Sequence, residues 1–170
     1  MCMGWEVFHM YTLSNEEFNG KIPQIDPNAF VAPQVFLSGD VRIGKYASVW
    51  PGVVARGDVN YISIGECTNV QDLVCLHVAD DDPCIIGDYV TIGHCACIHA
   101  CTIEDHVLIG MHATVLTGAK IGRGSIIAAG VATGVPAAEI VAMYKEHGAE
   151  IFRKKRFILP GKSVQPMFDS

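Results

Sequence analysis

A chain of 170 residues suggests one domain, large enough to bury a core. Half of its residues are hydrophobic but only 8 % are aromatic, and the formal net charge of −6 argues against nucleic acid as the main partner, because phosphate binding needs a basic surface. No run approaches the ~18–20 apolar residues of a membrane helix, so no membrane partner is expected.

Residues 1–20 read as an N-terminal extension. Ser14 is a candidate cap with Glu17 three residues on, which predicts a short helix near Ser14 to Phe18. From Val35 a six-residue rhythm begins: Val35, Val41, Ala47, Val53 and Val59 recur at that spacing. A short step leads to Ile64, Val70 and Leu76, a longer one to Ile86 and Ile92, and the series ends with Ile103, Ile109, Val115, Ile121 and Ile127. Glycine often follows the aliphatic residue, as in Ile43-Gly44, Ile64-Gly65 and Ile92-Gly93.

A period of six fits neither an amphipathic helix nor a coiled coil. It fits a short strand plus a turn, with inward side chains anchoring each segment. Three segments close a triangular coil of about eighteen residues, and coils stack in parallel at the ~4.8 Å strand spacing. The expected fold is an all-β solenoid over residues 21–135, followed by a C-terminal helix and tail over 136–170. Pro136 suits a first helical turn, and Ile140, Met143 and Tyr144 supply an apolar stripe toward Glu146. The basic cluster Arg153-Lys154-Lys155-Arg156 reads as solvated surface.

The seven cysteines, Cys2, Cys67, Cys75, Cys84, Cys95, Cys97 and Cys101, lack zinc-ribbon spacing. They read as free, small apolar fillers in a reducing compartment, which predicts a cytoplasmic protein.

The register carries a metal argument. His77 follows the anchor Leu76, and the extra residues before Ile86 form the loop Ala79-Asp80-Asp81-Asp82-Pro83. If Leu76, Ile86 and Ile92 anchor three successive faces, a short step returns the chain to the first face at Cys97. His77 and His99 then share a face, one coil apart, and can share a metal. His94 lies off another face and could join them only across an interface with a second copy, as a cyclic trimer would provide. Three imidazoles with an open position suit zinc, and would also accept iron or cobalt. His106 and His112 fall outside this register, and His9 and His147 lie in the extensions.

The ordered motifs Ile25-Asp26-Pro27-Asn28-Ala29-Phe30-Val31-Ala32-Pro33, Ser48-Val49-Trp50-Pro51-Gly52, Arg56-Gly57-Asp58-Val59-Asn60, Asn69-Val70-Gln71-Asp72, His77, Ile92-Gly93-His94 and Ile98-His99 carry a further signal. Over roughly residues 21–131 the chain resembles the gamma-class carbonic anhydrase-like proteins of the hexapeptide-repeat superfamily. The resemblance implies a left-handed parallel β-helix that assembles as a homotrimer. It implies a metal held by His77 and His99 of one subunit and His94 of its neighbour. It also implies reversible hydration of carbon dioxide to bicarbonate by hydroxide generated on Zn2+, with Fe2+ or Co2+ as substitutes. Gln71 would bond the reactive water or bicarbonate, and Asn69 would help orient substrate. Arg56 would pair across the interface with Asp58 or Asp72.

Two departures stand out. The glutamates that serve proton transfer in some members have no counterpart: Val59 follows Arg56-Gly57-Asp58, and the loop after His77 carries Asp80 to Asp82 instead. The last forty residues do not resemble the usual ending. The competing functions are an enzyme acting on coenzyme A esters, as a transferase or thioesterase, and a non-catalytic metal-binding assembly trimer.

Overall fold

A computed structural model describes residues 14–133 and the two short strands Ile158–Leu159 and Lys162–Ser163. The expected helix after Pro136 lies outside the described residues. Residues 14–133 form an all-β solenoid of short parallel strands stacked on three faces. The first face is built from Ser14–Glu16, the start of Phe36–Ile43, the start of Val54–Ile64, Cys75–His77, Cys97–His99, Thr114–Val115 and Ala132–Thr133. Gln24–Ile25, Cys84–Ile86, Thr102–Ile103 and Lys120–Ile121 complete the second face, and Phe30–Val31 through Ile126–Ile127 make the third. Phe36–Ile43 and Val54–Ile64 are long enough to turn a corner, so the first two faces are joined in one eleven-stranded sheet.

Each six-residue segment sends two side chains inward. One is the strand anchor, such as Leu76, Ile86, Ile92 or Ile98; the other lies two residues earlier, as do Val74, Cys84, Val90 and Ala96. All of these are essentially solvent-inaccessible. β-Branched and small residues therefore alternate at the positions a pleated, buried strand favours. The solenoid interior is one continuous aliphatic cluster from Ala32 to Ile127.

The observed register corrects three expectations. Val59 is no anchor: it is 53 % exposed, on a bulge that follows the paired residues Gly39 and Gly57. Beyond the bulge Val41 pairs with Ile62, so the rhythm read from Val35 had run along the second inward series and then changed phase. The first face resumes at Ile98 rather than Cys97, because Ile98 pairs with Leu76 and Cys97 with Cys75. The short step falls between Ile98 and Ile103, where Ala100 adopts φ 47°. Ser14–Glu16 is a strand, not a capped helix, because it finds backbone partners in Phe36–Ser38.

Corners are four-residue turns. In Gly93–Ala96, the Ala96 amide donates to the Gly93 carbonyl at 3.2 Å, and Cys95 carries φ 60° at the third position, as a type II turn demands. Tyr46, Cys67, Leu73, Tyr89, His106 and His112 occupy equivalent left-handed positions. That location explains why His106 and His112 fall outside the face register. It also divides the cysteines. Cys84 and Cys101 fill inward positions, Cys67 and Cys95 make corners, and Cys75 is exposed. Among the described residues all cysteines are free, and no helix is long and apolar enough to cross a membrane.

The glycine that precedes a corner has no room for a side chain. A Cβ on Gly93 would lie 2.7 Å from the Met111 nitrogen and 2.9 Å from the Gly110 carbonyl carbon. Gly118 differs, with φ +75° and nothing within 4 Å of its would-be Cβ. Gly93→Ala should therefore cost about 2–3 kcal/mol by forcing two rungs apart, whereas Gly118→Ala should cost about 1 kcal/mol of backbone strain alone. Urea denaturation midpoints of the two variants check the order; equal losses would contradict it.

Candidate metal centre

Outward residues that follow the anchors of the first face form a column: Ser38, Arg56, His77 and His99 are successive register partners. Parallel stacking holds such neighbours at the ~4.8 Å strand spacing, so long polar side chains in one column must touch. His77 Nδ1 faces His99 Nε2 at 3.1 Å, with ring centroids 5.1 Å apart at 60°. The far nitrogen of each ring is also held. His77 Nε2 lies 3.1 Å from Asp58 Oδ1, and His99 Nδ1 lies 2.9 Å from Thr117 Oγ1. Asp58 reaches back from the bulge and also pairs with Arg56.

Electrostatics favours an ionised Asp58 and a neutral His99. Burial opposes ionisation of Asp58, but the Val59 amide, His77 and Arg56 outweigh it and hold the carboxyl below the usual carboxylate range. Burial, then the neighbouring His77 and Arg56, push His99 below the ordinary imidazole range. A carboxylate only accepts hydrogen bonds, so it places a His77 proton on Nε2, and in the neutral ring that leaves Nδ1 with a lone pair.

His94 sits elsewhere. It occupies the corner between the third and first faces rather than a face, in the turn Gly93–Ala96. Its Nδ1 is 2.9 Å from Asp72 Oδ2, the residue at the same corner one coil earlier. Among the described residues that contact leaves Nε2 free, and the side chain is 46 % exposed. Asn69 lies on the third face and donates to Ser48 Oγ at 2.8 Å. Gln71 begins the next corner, where its backbone N–H donates to the Ile92 carbonyl at 3.0 Å.

The structure thus brings together two groups, Arg56–Asp58–His77–His99 and Asp72–His94, with Asn69 and Gln71 near the second along the chain. Asp58 and Asp72 serve as histidine partners within the chain, where the sequence had suggested only pairing with Arg56. Thr117 was missed, since its link to His99 spans a whole coil; only that coil-length separation could have signalled it. Among the described residues no three potential donors within one chain converge on a point.

The donor chemistry fits a metal all the same. Two imidazole nitrogens bound tetrahedrally at ~2.0–2.1 Å sit roughly 3.3 Å apart, close to the observed His77–His99 separation. Each ring also carries the outer hydrogen bond that metal-bound histidines use to fix orientation.

Comparison with known proteins bears on the family rather than on this site. Residues 100–134 match the family model described as bacterial transferase hexapeptide (six repeats). Gamma carbonic anhydrase 1, mitochondrial, of Arabidopsis thaliana is 46 % identical over 130 residues, covering 71 % of this chain and 47 % of that protein. A probable carbonic anhydrase of Methanocaldococcus jannaschii is 53 % identical over 91 residues, covering 54 % and 57 %. The chain spans about half the length of the curated relatives it matches. Among solved structures, a hexapeptide transferase family protein from Anaplasma phagocytophilum superposes with a TM-score of 0.56 at 33 % identity, covering 78 % of this chain and 91 % of that one. The chain belongs to the hexapeptide-repeat family.

Proposed function

We propose that this protein is a metal-dependent, gamma-type carbonic anhydrase that interconverts carbon dioxide and bicarbonate at sites between copies of the chain. The observation that carries the proposal is the 3.1 Å approach of His77 Nδ1 to His99 Nε2, with Asp58 and Thr117 on the far nitrogens. The third ligand in this reading is His94 of a neighbouring copy, whose ring is exposed at a corner and oriented by Asp72. Zn2+ is the expected ion, with Fe2+ or Co2+ as substitutes. Bound there, it supplies the Lewis acidity that makes water nucleophilic near neutral pH.

One set of exposed apolar residues supports a homotrimer, although Tyr46 and Tyr89, at the corner of the second and third faces, and Leu116 lie outside it. Phe36 and Val54 on the first face, Phe30, Leu108 and Ile126 on the third, and Trp50, Leu73 and Met111 at their shared corner are all more than a third exposed. The outward positions of the second face are Gln24, Arg42, Ser63, Ile85, Thr102 and Lys120, mostly polar. A three-fold assembly through the first and third faces would bury the apolar set and bring His94 of one copy toward His77 and His99 of the next.

The chain's own groups divide the remaining work. Gln71 offers a neutral amide that can donate to or accept from the reacting water without taking its charge, and Asn69 orients the gas or its product. Arg56 and Asp58 hold His77 in its ligating tautomer. Asp80 to Asp82 stand in for the missing glutamates as proton carriers; Asn60 ties this loop to the bulge through the Asp80 carbonyl at 3.1 Å.

Metal content and light scattering test the assembly. His77→Ala, His94→Ala or His99→Ala should each remove most of the zinc from a trimer, whereas His106→Ala and His112→Ala should leave it bound. Full occupancy in His94→Ala, or a stable monomer carrying one tightly held zinc, would sink the shared site. Gln71→Ala should keep metal and trimer and lower carbon dioxide hydration about 10–100-fold. Fully metallated protein that turned over an acyl-coenzyme A ester but hydrated no carbon dioxide would move the assignment to acyl transfer.

The lowered pKa of His99 gives a second check on metal-free protein. A group whose folded pKa is depressed binds protons more readily when unfolded, so stability present above the unfolded value is lost as pH falls. Urea midpoints should therefore drop between about pH 7 and pH 5, across the ordinary histidine range, and the drop should be smaller in His99→Gln. An identical pH slope in the variant would contradict the assignment.

A further inference from the structure

Thr117 is the second residue of the corner Leu116–Ala119, closed by the Ala119 amide donating to the Leu116 carbonyl at 3.1 Å, with Gly118 at φ +75°. The corner, not the histidine, therefore fixes where its hydroxyl stands. Thr117 is exposed, and its hydroxyl is the partner of His99 Nδ1.

The direction of that bond follows from its neighbours. Ionised Asp58 only accepts, so His77 carries a proton on Nε2, and the neutral ring, the form that can bind a metal, presents a lone pair at Nδ1. The 3.1 Å contact between the two rings then requires His99 to donate from Nε2. His99 Nδ1 is left with a lone pair, and the Thr117 hydroxyl donates to it. Ligation through Nε2, on which this inference rests as the reading above has it, reverses the arrangement. His99 must then carry its proton on Nδ1, and the same oxygen must accept it. No proton is gained or lost by the ring; it changes position. A hydroxyl can serve both states by rotating about its C–O bond, whereas a carboxylate could serve only the second.

We propose that Thr117 is a positioning residue that holds His99 in both tautomers, so that the ring changes from partner of His77 to metal ligand without leaving its place. The test uses the full chain with histidine nitrogens labelled for NMR, and zinc alone as the probe. Wild-type protein should show the His99 proton on Nε2 without metal and on Nδ1 with zinc. Thr117→Val, which keeps the shape and removes the hydroxyl, should fold and assemble as wild type but bind zinc about 10–100-fold more weakly in competition with a chromophoric chelator. Thr117→Ser should restore most of that affinity. Thr117→Asp should move the proton to Nδ1 even without zinc. Unchanged affinity in Thr117→Val, no recovery in Thr117→Ser, or a metal-free wild type with the proton already on Nδ1 would overturn the proposal. Wild-type protein that binds no zinc would overturn the metal reading and with it the ligand role; the metal-free tautomer of His99 would still decide the direction of the Thr117 bond.

Discussion

Everything in this molecule depends on rungs that stack in parallel register. Each coil hands its backbone hydrogen bonds to the next, so a residue at one position in a segment always meets the residue at the same position one coil away. The interior is filled by two inward side chains per segment, and the corners by residues that accept a left-handed backbone or leave space for the next rung. The same rule that packs Leu76 against Ile98 also sets His77 against His99 and Asp72 against His94. Polar columns on the outside are the counterpart of aliphatic columns inside.

Other columns show the rule at work without chemistry. Asp88 Oδ1 accepts the Glu66 amide at 2.7 Å, and Asp105 Oδ1 accepts the Asp88 amide at 2.9 Å, each carboxylate capping the corner of the preceding coil. The Asp88 amide, together with Arg123, accordingly keeps Asp105 ionised below the usual range, although burial opposes it. Tyr89 and His106 stack with ring centroids 5.1 Å apart and only 13° between planes. Such ladders hold a solenoid together where it lacks long-range packing.

The departures from the six-residue period gather around the histidines. The bulge after Gly57 carries Asp58 to His77. The loop after Val78 is pinned to that bulge through Asn60. The short step after Ile98 follows His99 directly, and its Ala100 takes a left-handed turn. Regular coils need none of these. Irregular backbone is where a repeating scaffold can aim single side chains, and here each irregularity adjoins a histidine or holds a group that one of them touches.

The solenoid was legible in the sequence because its signal is local: Ile-Gly pairs and a period of six survive whatever the coils do in space. That His77 and His99 share a face was legible for the same reason, although counting put His77 one residue beyond Leu76 and His99 two beyond Cys97. The structure puts each one residue beyond its anchor, Leu76 and Ile98. Counting failed where a segment changed length. Val59 kept the period in sequence and left the core in space, and Cys97 was taken for an anchor one residue early. Ser14 and Glu17 carried a capping pattern that pairing with Phe36–Ser38 overrode, because a free strand edge offers more hydrogen bonds than a single capped turn. Which group holds which nitrogen was decided by tertiary structure alone. Asp58, Asp72 and Thr117 reach their histidines across a coil, and only the stacking of one rung upon the next brings them within hydrogen-bonding distance.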